Sequence, residues 1–211
     1  MRRFPAVLVC TLAVGPMAIH AQDRLDPTLR DALAAVLADA RRDSLPVAAL
    51  EGKALEGQAK SRPASQIVAV VTQLAGDMRA ARALLRGEGG GPSASADEIV
   101  AAADALHQGV PPDAVRDLRR DAPTGANLSI ALAVLGSLIA RGVPADHAAE
   151  VVRTLVQGGT PAGRLIELPG RLDHALAGGG PPAAALGNVL RGMNLPVPPG
   201  PANRPGRRPR G

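Results

Sequence analysis

Apolar residues return every three or four positions through most of this chain, the spacing that lines them along one face of an α-helix. The clearest stretch carries Ile67, Val70, Val71, Leu74, Met78, Ala81 and Leu85, with Gln66, Gln73, Asp77, Arg79 and Arg86 largely on other faces. An earlier stripe, Leu29, Leu33, Val36, Leu37 and Ala40, follows Asp26-Pro27, and a short one, Leu50, Ala54 and Leu55, follows Leu45-Pro46. Later stripes run through Ile99, Ala102, Ala103 and Leu106, through Val115 and Leu118, through Val151 and Val152, and through Leu186, Val189 and Leu190. Positions 128–140 are apolar nearly all round but too few to span a bilayer, so they predict a buried central helix.

The punctuation between stripes is regular. In Gly142-Val143-Pro144, glycine closes one helix because it reaches the left-handed conformation cheaply, and proline starts the next, where its missing N–H costs nothing. Asp146 then places negative charge near the positive end of the helix dipole. Gly109-Val110-Pro111 repeats the corner, and Ser95 with Glu98 has the spacing of a capping box. Glu88-Gly89-Gly90-Gly91-Pro92 reads as a flexible break. Pro169-Gly170 is expected to interrupt the helix opened at Pro161, with Leu172 and Leu176 continuing the stripe of Leu165 and Leu168.

These elements predict an all-α domain over residues 22–191, with seven to nine helices packed as successive hairpins in an irregular bundle or short α-solenoid. Helix starts at Pro46, Ser95 and Pro144 lie 49 residues apart, and those at Pro63, Pro111 and Pro161 lie 48 and 50 apart. The spacing suggests a helical repeat of about 49 residues, with units 43–91, 92–140 and 141–190. Sequence identity between the units is thin, and the consensus residues of TPR, HEAT and armadillo repeats are not present.

The layout resembles that of exported bacterial proteins rich in Ala, Gly and Pro, which carry a Lys-Ala-Leu-Glu-Gly element before a Pro-led helix. The matching residues here are Lys53-Ala54-Leu55-Glu56-Gly57 and the helix of 63–85, about a sixth of the chain. The resemblance implies an exported helical class and no activity.

Composition adds a compartment. Arg2 and Arg3 precede an apolar run over 6–19, and Ala21 is a small residue before Gln22, the order of a secretory signal peptide. Cleavage is expected after Ala21, placing the mature chain in the periplasm or outside the cell. Cys10 sits too early, and behind Val9, for a lipoprotein signal. The mature chain then has no cysteine, so packing alone must hold it together. It also loses the one aromatic residue, Phe4. That removes stacking platforms for bases, flavins and sugars and weighs against a nucleic-acid partner.

The net charge of +5 comes from the ends. Residues 22–190 hold 17 basic and 19 acidic side chains, whereas 192–211 hold Arg204, Arg207, Arg208 and Arg210 and no acid. This Pro- and Gly-rich tail is expected to be disordered and could bind an anionic envelope polymer or lipid surface by charge.

Candidate chemistry is sparse. His147 and Glu150, at i and i+3 beside Asp146, could give a metal two ligands, but a catalytic zinc needs a third and an open position. A solvated polar helix face is the competing reading. The glycine clusters at 87–91 and 178–180 lack the Gly-Lys-Ser/Thr ending of a phosphate loop. Neither Gly-x-Ser-x-Gly nor Ser-x-x-Lys occurs. Glu51 and Glu56, five apart on a helix, point in different directions. No cofactor is called for. The expectation is an exported, non-enzymatic helical scaffold that binds another envelope or secreted protein. Its rivals are a metal-dependent hydrolase at His147 and Glu150 and an envelope tether acting through the tail.

Overall fold

The computed structural model describes residues 24–86 and 93–198. Among these it contains nine α-helices and no strand: α1 (Pro27–Arg42), α2 (Val47–Ala59), α3 (Ala64–Leu85), α4 (Ala96–His107), α5 (Pro112–Asp121), α6 (Leu128–Ala140), α7 (Ala145–Gln157), α8 (Ala162–Ala177) and α9 (Pro182–Gly192). The chain is all-α, as the apolar periodicity requires. None of the described helices is long and apolar enough to cross a membrane. The leader at 1–21, the glycine run at 87–91 and Arg204, Arg207, Arg208 and Arg210 all lie outside the described residues.

One kind of corner recurs. At Ser44, Ser61, Gly109, Gly142, Gly159 and Asn194 the backbone turns left-handed, with φ between 50° and 90°. In each case the next residue's N–H reaches back five residues to a helix carbonyl, as in Val143 to Leu138 and Leu45 to Ala40, at 2.9–3.1 Å. This is the Schellman closure, which satisfies carbonyls the helix would leave free. A proline follows two residues after the left-handed one. It stands at the N-cap rather than in the first turn at Pro46, Pro63, Pro111, Pro144 and Pro161, and none of these helices has a side-chain cap. Side-chain caps occur at Asp26, Asn127 and Ser95, and at Ser95 the Glu98 carboxylate returns to the Ser95 N–H at 2.8 Å, completing the capping box.

The core follows the expected stripes with local shifts. On α3 the buried line is Ile67, Val71, Ala75, Met78, Ala81 and Leu85. Val70 is 48 % exposed and Leu74 only partly buried, because the buried line steps from Ile67 to Val71 to Ala75 and leaves both on its flanks. The helix α6 buries Leu128, Ala131, Leu132, Val134, Leu135, Gly136 and Leu138 and packs against α4, α5, α7 and α8, which makes it the central helix. Small residues bring α4 and α6 close: a Cβ on Gly136 would stand 3.3 Å from the Ala105 Cα. The α2 helix approaches α3 in the same way at Gly57, where a Cβ would meet Ile67 Cγ1 at 2.8 Å.

Two expectations change. Pro169 does not break the helix opened at Pro161; α8 continues through it to Ala177, with Leu165, Leu168 and Leu172 all buried on one side of the proline. Burial of these three leucines outweighs the lost hydrogen bond, which costs about 3 kcal/mol. The packed chain also extends past residue 191. Met193 and Pro198 are buried, and Arg164 on α8 donates to the Met193 carbonyl.

Helix starts at 47, 96 and 145, and at 64, 112 and 162, keep the spacing read from the sequence. Their surroundings differ. The first unit holds α2 and α3, whereas the second holds α4, α5 and α6 and the third α7, α8 and α9. The main partners of α4 are α3 and α6, and those of α7 are α5 and α6. The principal contacts throughout connect helices one or two places apart in the chain.

Candidate functional site

The surface around α5 carries a run of ion pairs and is flanked by two hollows. This helix, Pro-Asp-Ala-Val-Arg-Asp-Leu-Arg-Arg-Asp, buries Val115 and Leu118 and turns Asp113, Arg116 and Arg120 outward. Opposite charges three apart pair along it: Arg116 with Asp113, and Arg120 with Asp117 at 2.7 Å, Arg120 also reaching Asp121 at 3.0 Å. Such exposed i, i+3 pairs are screened by solvent, so they organise the surface more than they stabilise it.

Arg119 has a different role. Its Nη1 lies 3.1 Å from Glu98 Oε1, and both side chains are largely buried. The other Glu98 oxygen accepts the Ser95 N–H, so one carboxylate caps α4 and also ties it to α5. On the other side, Arg153 of α7 pairs with Glu150 and reaches Asp121 of α5 at 4.0 Å.

Two hollows flank α5. An open cleft of about 960 Å³ lies between the end of α3, α5 and the approach to α6, with Leu84, Leu85, Ala126 and Leu128 among its apolar walls and Arg116, Arg119 and Arg120 among its polar ones. Arg86 and Ser93, on either side of residues 87–92, border it. A second groove of about 350 Å³ separates α5 from α7 and is lined by Asp113, Asp117, Asp146, Glu150 and Arg153.

His147 and Glu150 do not share a solvated face. His147 is 7 % exposed, on the buried line that continues with Val151 and Leu155. Glu150 lies at the groove wall with Arg153 on its carboxylate. Among the described residues no group of three or more His, Cys, Asp or Glu side chains comes together as a metal would need. His107 has Asp77 at 3.9 Å, and Asp173 takes a two-pronged grip from Arg141 at 2.7 and 2.9 Å. Arg141 also donates to the Ser137 carbonyl, so this fork joins α6 to α8 and holds the Asp173 carboxyl below its usual range.

Glu51 and Glu56 diverge as expected. Glu51 is buried and accepts from Arg41 of α1. Glu56 is out in solvent between Lys60 and Lys53, whose hydrogen bonds hold its carboxyl down to about 2.

The α5 surface was not singled out in the sequence, although its signal was there: charges of opposite sign three apart around only two apolar residues. Comparisons with family models, with curated proteins and with solved structures return no match for this chain.

Proposed function

We propose that this chain is an exported, non-enzymatic helical scaffold that binds another protein through the notched surface around α5. The leader-like residues 1–21 support export, and the resemblance to exported Ala/Gly/Pro-rich proteins agrees with it.

The packing order is the observation that carries the reading. Contacts join α1 to α3, α3 to α5 and α5 to α7, and likewise α4 to α6 and α6 to α8. We read this as a short two-row stack of the solenoid kind, in which the principal contacts run between helices one or two places apart in the chain. The corner spacing of about 49 residues belongs to this arrangement as a recurrence of turns. Helix length then makes the notch. At 1.5 Å per residue, the ten residues of α5 span roughly 15 Å beside roughly 33 Å for α3. The shorter helix leaves a hollow on each side, with apolar walls and a rim of held arginines and carboxylates. Such a rim discriminates among protein partners by charge pattern.

A photo-reactive residue placed at Arg116 on α5, and separately at the exposed Asn188 on α9, tests this in the compartment to which the chain is exported. The expected result is one defined protein adduct from position 116 and none from 188. Equal adducts from both, or none from either, would overturn the notch. Stoichiometric metal in the purified chain, lost on His147→Ala, would overturn the scaffold reading in favour of a metal site at His147. Envelope association lost on deleting 192–211, with no adduct at 116, would move the binding to the arginine tail.

A further inference from the structure

We draw no further inference here: the strongest candidate, the groove between α5 and α7 lined by Asp113, Asp117, Asp146 and Glu150, is an acidic cluster in which Arg116, Arg120 and Arg153 already hold three of the four carboxylates, and nothing in the structure points to a ligand for it.

Discussion

Two adjacent residues, Glu56 and Gly57, show how differently neighbours on one helix can serve this fold. Glu56 faces water between two lysines, and its folded-state pKa of about 2 lies below the ordinary value near 4.3. Asp173 is lowered as well, by Arg141. A carboxylate with a depressed pKa contributes stability that is present above its unfolded pKa and is lost as pH falls through the folded one. Wild type is therefore expected to be more stable than the Glu56→Gln variant at pH 6, with the difference shrinking from about pH 4.5 and closing as pH falls through about 2. Denaturant midpoints followed by far-ultraviolet circular dichroism would measure it, and a difference that persisted at the acid end would contradict the assignment. Gly57 faces inward, where a Cβ would press on Ile67 at 2.8 Å. Alanine there gains about 1 kcal/mol of helix propensity, but overpacking a β-branched core residue costs roughly 1–3 kcal/mol. Gly57→Ala should destabilise by about 1 kcal/mol and should instead stabilise in an Ile67→Ala background. A loss of the same size in both backgrounds would remove Ile67 as the cause.

At the scale of elements, helix positions were largely legible because each corner spends recognisable residues. Gly109 and Gly142 with a proline two residues on are visible in any reading, and so is the Ser95–Glu98 box. Ser44 and Ser61 adopt the same left-handed turn without a glycine, and there the proline alone marks the boundary. Pro169 misled because a proline's local penalty is readable, whereas three leucines packed on one side of it are a tertiary fact. That conflict has a measurable consequence. Pro169 is half-buried inside α8, so Pro169→Ala restores a hydrogen bond at little packing cost. It should raise stability by on the order of 1–3 kcal/mol. A neutral or destabilising result, read from the thermal midpoint, would mean that the ring contributes more to packing than the backbone bond would. The site was less legible than the helices. His147 and Glu150 are adjacent in sequence pattern, but one turn of α7 carries the histidine inward and the glutamate to a groove wall. The Arg119–Glu98 pair joins residues 21 apart, and no local period announces it.

For the molecule as a whole, the proposed function rests on reading the helices as a serial stack. The buried apolar residues form one continuous core from Leu25 to Met193, yet the principal helix contacts run between near neighbours in the chain. A core built that way can loosen at one end and stay closed at the other. The two ends are held by separate contacts. The α1–α2 corner is fixed to α3 by Arg79 on the Asp43 carboxylate and Arg82 on the Asp43 carbonyl, while α9 returns to α8 through Arg164. In the proposed scaffold the α5 surface lies between these two tied ends. Hydrogen exchange, resolved by peptide, on the Leu168→Ala variant measures this most directly. Leu168 is fully buried in α8, and its truncation should cost roughly 2–5 kcal/mol. The expected result is faster exchange in α6 to α9 with α1 to α3 unchanged, whereas an equal rise across all nine described helices would contradict a serially packed scaffold.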